Sequence, residues 1–303
     1  MAKKKKKSKI DAYIDALHRL DNKTVIITGA NSGIGFEIAR TALLKGARVV
    51  MACRDNLRAI FAKEKLIQET GLDNIIIEKY DQSDIESIHH LANIIIKDYS
   101  DFYALVLNAG IFLPEQVVDE YHISNVYKTN YLGPMILLSD LKTYLDESDI
   151  ERRVIFQSSL GAYYCKYKNK DRLIYGEDKP MRQYCLSKLG VTNLFAYYRD
   201  NNQNPNIKFL LCEPGVAFTN LFRNFKKWFK KIAYPFLRNC CSSPKEGSLS
   251  ACKELCDVMA NGNYYRPRCF LSTRGLPKLR NLPNKLIKED IIKDGIETIK
   301  NYE

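Results

Sequence analysis

One octapeptide constrains what this chain can fold into more than any other feature. Thr28-Gly29-Ala30-Asn31-Ser32-Gly33-Ile34-Gly35 follows the β-type run Thr24–Thr28 and opens an apolar-periodic stretch with Phe36, Ile38, Ala39 and Leu43. The glycines permit a tight turn and let the backbone approach a pyrophosphate, which rests on the N-terminus of the following helix. A glycine-rich turn alone is a weak signal. Between a strand and a helix it has the context that phosphate binding requires.

The rest of the chain supplies the matching architecture. Strand-like runs are Thr24–Thr28, Arg48–Ala52, Asn74–Lys79, Tyr103–Leu107, Arg153–Gln157 and Ile207–Cys212, with helical periodicity near 34–45, 56–70, 84–98, 120–146 and 182–200. Short strands alternating with longer helices predict βαβ units, right-handed crossovers and a single doubly wound α/β domain of the Rossmann type around a parallel sheet. Ile10, Tyr13, Ile14, Leu17 and Leu20 predict a short helix ahead of the first strand, within a domain spanning 10–303. After residue 212 the alternation stops, and a helical lid (219–242) and a C-terminal extension (261–303) are expected.

The net charge of +12 has an address. Six Lys lie in residues 1–9, and seven basic residues without an acid lie in 221–245, so the remainder sums to −1. That distribution excludes a uniformly basic nucleic-acid binder and predicts a disordered tail over 1–9. Nine Cys cannot all pair in disulfides and contain no Cys-x-x-Cys, which predicts reduced thiols and a cytoplasmic protein. The four His share no ligand spacing with those Cys, so no metal site is expected. No stretch reaches eighteen apolar residues, and no apolar region follows the N-terminal Lys run.

Thr-Gly-x-x-x-Gly-x-Gly, formed here by Thr28, Gly29, Gly33 and Gly35, resembles the cofactor turn of the short-chain dehydrogenase/reductases, and further motifs follow in that family's order over residues 22–260. Asp81 stands where the family contacts adenine; Asn108-Ala109-Gly110 is similar to its Asn-Ala-Gly turn, and Pro214-Gly215-Val216 with Thr219 to its Pro-Gly turn. The resemblance implies that these residues, with Asn31, Ser32 and Ile34, bind a nicotinamide dinucleotide. Where a ribose-binding acid would indicate NAD, the chain has Cys53 and then Arg54. A guanidinium grips a 2′-phosphate with paired hydrogen bonds, so NADP(H) is expected over NAD(H). Asp55 reads as the cap of the next helix.

The family's active site is a Tyr-x-x-x-Lys pair with an upstream Ser and Asn. The spacing occurs three times in a chain with nineteen Tyr: Tyr164/Lys168, Tyr175/Lys179 and Tyr184/Lys188. Lys179 precedes Pro180, and Tyr164 lies five residues past Ser159, whereas Tyr184 opens a clean helical pattern that puts Tyr184 and Lys188 on one face. An ammonium about 4 Å away supplies roughly the 4 kcal/mol needed to ionise a Tyr near neutral pH, so Lys188 is expected to draw Tyr184 into working range. The resemblance assigns Lys188 to the nicotinamide ribose as well, Ser159 to the substrate oxygen, Ser158 to a structural place, and Asn130 to a water in the proton relay.

Ala52-Cys53-Arg54-Asp55, Asn130-Tyr131-Leu132-Gly133 and Ser243-Pro244-Lys245-Glu246-Gly247 are similar to the retinol dehydrogenase-like members. That likeness implies a retinoid, steroid or lipid-derived alcohol or carbonyl as substrate, and a homodimer built through helices flanking the active site. Glu213 departs from the subgroup, which commonly has His there. Phe222, Phe225, Phe229 and Ile232 recur at helical spacing among lysines, which fits an apolar lid and a peripheral membrane contact through 221–234. The competing readings are reduction of a carbon–carbon double bond, separable by product analysis, and a non-enzymatic NADP(H)-sensing or membrane-associated protein.

Overall fold

The aliphatic and β-branched runs become the central sheet. The computed structural model describes residues 8–112, 118–119, 123–165, 167, 179–216, 241–259, 262, 264–269 and 272–302. In it β1 (Thr24–Thr28), β2 (Arg48–Cys53), β3 (Ile75–Lys79), β4 (Ala104–Leu107), β5 (Arg152–Gln157) and β6 (Ile207–Cys212) pair in parallel in the order β3-β2-β1-β4-β5-β6. Every residue of β1, β4 and β5 is buried, which is why Val25–Ile27, Ala104–Leu107 and Val154–Phe156 read as continuous apolar runs rather than alternating ones. Ile26 and Val50 face one helical layer with Leu91, Tyr127 and Leu189, while Val25 and Ile27 face the other with Ile38, Leu43 and Leu255. The strand order reverses between β1 and β4, and in such sheets ligands bind outside the carboxyl ends at that point.

The crossovers are α2 (Gly33–Leu44), α3 (Asn56–Thr70) and α4 (Ile85–Asp98), preceded by α1 (Lys9–Asp15). Ser8 caps α1 by accepting from the Asp11 amide at 3.1 Å, so the chain is helical from the last residue assigned to the basic tail. Residues 1–7 lie outside the described residues. So do 217–240, and with them Thr219, most of the expected lid and the basic aromatic stretch assigned to membrane contact.

Two departures from the sequence pattern matter. The helix predicted over 120–146 divides into α5 (Asn125–Tyr127), a π-helical turn (Lys128–Leu132), α6 (Gly133–Asp140) and α7 (Lys142–Asp146). Single π turns re-aim one residue and recur at functional sites, and this one carries Asn130. The pattern also predicts no strand past Cys212, yet β7 (Tyr264–Pro267) pairs with β6 in parallel and β8 (Pro277–Leu279) pairs with β7 antiparallel. Four and three residues with two prolines and an arginine carry no readable period.

The remaining helices are α8 (Pro180–Asp200), α9 (Pro244–Gly247), α10 (Leu249–Cys256) and α11 (Glu289–Tyr302). The C-terminal segment docks on α8 and the π turn. Asn193 Nδ2 donates to the Leu286 carbonyl at 3.0 Å, the Lys288 amide donates to Asn193 Oδ1, and the Tyr131 hydroxyl donates to the Ile291 carbonyl at 2.8 Å. Gly295 packs so closely that a Cβ there would lie 2.7 Å from both Met135 Sδ and Tyr131 Oη. Among the described residues no disulfide forms, and no helix is long and apolar enough to cross a membrane.

Candidate active site

The glycine turn is built by fit. Gly29 and Gly33 have φ of +68° and +59°, where a side chain is strained. A Cβ on Gly35 would lie 2.4 Å from the Gly29 carbonyl oxygen and 2.5 Å from Asn108 Nδ2. Thr28 Oγ1 accepts from the amides of Asn108 at 3.0 Å and Ala109 at 2.9 Å, and Asn108 Nδ2 donates to the Thr28 carbonyl at 2.9 Å. These bonds stitch the turn after β1 to the turn after β4. Ser32 precedes α2 without capping its first turn through the side chain, which leaves those amides to a ligand. The cradle that a Cβ would fill therefore fits a dinucleotide pyrophosphate.

A cleft of about 700 Å³ runs across this end of the sheet. Its middle is Gly29, Asn31, Ser32, Gly33, Ile34 and Gly35 facing Asn108, Ala109 and Gly110. One end holds Arg54, Asp55, Arg58 and Asp81; the other holds Phe112, Gln157, Ser158, Tyr184, Lys188 and Pro214. Arg54 Nε is 3.8 Å from Asp81 Oδ2, with 65% of the Arg54 side chain exposed, so the pair is loose and weak. Asp55 caps α3 as expected, accepting from the Arg58 amide at 3.1 Å. Thr28, Gly215 and Val216 stand behind the wall instead of lining it. Thr28 is spent on the stitch above, and the Val216 amide donates to the Thr273 carbonyl at 2.9 Å.

At the far end Lys188 Nζ donates to the Gln157 carbonyl at 3.0 Å. A Cβ on Gly110 would lie 3.3 Å from that Nζ and 3.1 Å from Asn130 Oδ1, so the two side chains meet around one glycine. Ser159 hydrogen-bonds the Tyr184 hydroxyl, and the ring of Phe112 meets that of Tyr184 edge-on at 5.6 Å. Ser158 turns away to Thr192 Oγ1 at 2.7 Å. Asn130 is committed to the framework: Nδ2 donates to the Ile111 carbonyl and to Ser187 Oγ, both at 2.9 Å, while Oδ1 accepts from the Ile111 amide at 2.7 Å. Of the other Tyr/Lys pairs, Tyr164 is 72% exposed, and Lys168 and Tyr175 lie outside the described residues.

Burial dominates the electrostatics. It pushes the Tyr184 hydroxyl up to about 12, with the Ser159 hydrogen bond pulling back and Cys185 and Glu213 adding to the rise. It also brings the Lys188 ammonium down to about 8. The expectation that Lys188 draws Tyr184 down is thus corrected, because desolvation of the hydroxyl wins and Lys188 is itself desolvated and bonded to Gln157. Glu213 is 1% exposed and raised by burial; Tyr264 donates to its Oε2, and Tyr163 donates to the Tyr264 hydroxyl at 2.7 Å.

Several cleft residues escape sequence reasoning, Gln82, Phe112 and Gln157 among them. Gln82 Nε2 donates to the Ala109 carbonyl at 3.0 Å and the Thr129 carbonyl at 2.6 Å, clamping two walls together. Phe112 and Gln157 follow or end runs that read only as apolar strand and loop. No spacing marks a lone Gln as a clamp.

The family model for short chain dehydrogenases matches residues 23–230. The chloroplastic short-chain dehydrogenase TIC 32 B of Brassica napus is 30% identical over 224 residues, covering 69% of this chain and 69% of its own. Human retinol dehydrogenase 14 is 28% identical over 251 residues, covering 76% of this chain and 72% of its own. Among solved structures, the crystal structure of an uncharacterized protein from Mycobacterium paratuberculosis shares the fold with a TM-score of 0.73 at 20% identity, covering 93% of each chain. The chain belongs to the short-chain dehydrogenase/reductase family, on its retinol dehydrogenase-like side, and is an NAD(P)-dependent oxidoreductase.

Proposed function

We propose that the chain uses NADP(H) to interconvert an alcohol and a ketone or aldehyde on a hydrophobic substrate, with Tyr184 exchanging the proton. Tyr184 and Lys188 line the same dinucleotide-sized cleft as the glycine turn, with Ser159 hydrogen-bonded to the Tyr184 hydroxyl, and this carries the reading. The bound nicotinamide supplies or takes up the hydride. Tyr184, held protonated by its burial, donates to the substrate oxygen in the reductive direction. Ser159 orients that hydroxyl and shares the oxygen. Lys188 holds a positive charge beside the cofactor ribose, and Asn130 is a positioning residue that braces the 111–112 loop against α8.

Ile111 and Phe112 give the catalytic end an apolar flank, and the name of the human relative points to a retinoid or similarly apolar alcohol. Arg54 at the opposite end supports NADP(H). Reduced thiols suit a cytoplasmic setting. The homodimer implied by resemblance would pair helices flanking the active site. Sedimentation equilibrium is therefore expected to return a dimer of two 34.9 kDa chains, and a monomer would overturn that expectation.

The sign of the pH dependence follows from Lys188. Its charge is present below about 8 and lost above it, while Tyr184 keeps its proton to about 12. The kcat/KM for NADPH in carbonyl reduction is expected to be level below about pH 8 and to fall above it, because this ratio reports the free enzyme. A profile level past pH 10 would detach Lys188 from catalysis. The function itself is tested by following oxidation of NADPH and NADH with retinal, ketosteroids and medium-chain aldehydes. Turnover on at least one carbonyl, with NADPH preferred, is expected; binding of NADPH without turnover on any would favour a nucleotide-sensing protein.

A further inference from the structure

Two thiols meet beside Tyr184. Cys165 ends the 3-10 turn Leu160–Tyr164 that begins at Ser159, and Cys185 follows Tyr184 on α8. Both are reduced, and their side chains hydrogen-bond each other. The turn is packed hard against the helix at this point, since a Cβ on Gly161 would lie 2.7 Å from Cys185 Sγ.

The pair is polarised as well as close. The hydrogen bond to Cys165, with burial behind it, pushes the Cys185 thiol well up, so Cys185 keeps its proton and donates to the Cys165 sulfur. A sulfur that accepts a hydrogen bond ionises more readily, and Cys165 is also the less buried of the two. The Cys165 thiol itself donates to the Arg182 carbonyl at 3.9 Å. The nearby Arg182 charge, outweighed at Cys185, favours thiolate. Cys165 is therefore the nucleophile and Cys185 its partner.

We infer that Cys165 and Cys185 form a dithiol that a hydroperoxide oxidises to a disulfide, and that this bond switches off proton transfer at Tyr184. The Cys165 thiolate attacks the peroxide O–O bond and keeps one oxygen as sulfenic acid. The other oxygen leaves as hydroxide and takes up the proton that Cys165 gave up. The Cys185 sulfur then attacks the sulfenic sulfur, and its proton leaves with the displaced hydroxide as a second water. The two sulfurs lose two electrons and the peroxide gains them. A disulfide holds its sulfurs about 2.0 Å apart, well inside hydrogen-bond range, so turn and helix are drawn onto each other. Ser159 and Tyr184 belong to the two elements that shift, and the hydrogen bond between them aims the proton. The glycine turn at the middle of the cleft is outside this joint. The disulfide itself is independent of the proposed reaction, whereas its effect on turnover rests on that reading.

Hydrogen peroxide applied to the full chain tests both. The digested wild-type protein is expected to yield a peptide pair joined through Cys165 and Cys185, two hydrogens lighter than the free pair and separated by dithiothreitol. NADPH-dependent carbonyl reduction should fall by about tenfold or more, as when a catalytic group is misplaced, and return with dithiothreitol. The dissociation constant for NADPH should stay within about twofold. Cys165→Ser, with Cys165→Ala as the second variant, should keep its rate under peroxide. No joined peptide, a joined peptide without loss of rate, or an equal loss in Cys165→Ser overturns the inference while the proposed function stands. Wild-type protein that reduces no carbonyl overturns that function and the switch with it, and the joined peptide still decides whether the dithiol closes.

Discussion

Tyr184→Phe is expected to lower kcat/KM for carbonyl reduction by about a hundredfold to ten-thousandfold, the usual loss when a positioned proton donor is removed. The substitution deletes one oxygen and keeps the ring, so the edge-on contact with Phe112 and the burial of the aromatic body persist. Stability should hold within about 1 kcal/mol, since only the hydrogen bond to Ser159 is lost. NADPH affinity should also hold, because Lys188 keeps its bond to the Gln157 carbonyl. Steady-state rates, NADPH titration and thermal melting measured on one preparation separate these effects. A variant retaining more than a tenth of the wild-type rate would move the proton to another donor and sink the assignment.

The second large effect is on cofactor choice. Arg54→Ser is expected to raise KM for NADPH by about thirtyfold and to leave KM for NADH within about twofold, since a charge-assisted pair is worth about 2 kcal/mol. The exchange is cheap for the wild-type protein because the partner that Arg54 gives up, Asp81, lies 3.8 Å from a guanidinium whose side chain is itself largely exposed. Removing Arg54 also leaves the Asp81 charge facing the 2′-phosphate without its counterion. The effect should shrink between low and high salt, as the pair lies within reach of screening ions. An unchanged NADPH preference in Arg54→Ser would transfer the role to Arg58, which lines the same end of the cleft.

Most of this site was legible because its residues sit where short-range rules act. Gly29 and Gly33 need left-handed backbone, Gly35 needs space, and Tyr184 and Lys188 need only one helical turn between them. The central strands were legible for a related reason, as burial on both faces leaves unbroken apolar runs at Val25–Ile27, Ala104–Leu107 and Val154–Phe156. What escaped depends on long-range partners. The π turn at Asn130 is held by bonds to Ile111 and Ser187, neither adjacent in sequence. Strands β7 and β8 are too short to show a period and exist because β6 offers an edge. The pKa of Tyr184 could not be read from spacing to Lys188, since the burial that sets it is a property of the assembled domain. Gln82 and Gln157 look like any polar residue at a strand end until the carbonyls, sulfur and cleft around them are in place.

The docking of α11 divides the site by sequence distance. The nucleotide half is closed by Asn108 on Thr28, eighty residues apart. The outer support of the catalytic half includes Tyr131 on Ile291, 160 residues apart. Doubling a loop costs only about 0.6 kcal/mol in closure entropy, so the difference is minor at equilibrium. Its consequence is kinetic, because distant contacts must be found before they reward the search. The wall of the nucleotide cleft closes over the shorter loop, and the candidate catalytic end waits for a strap from the far end of the chain.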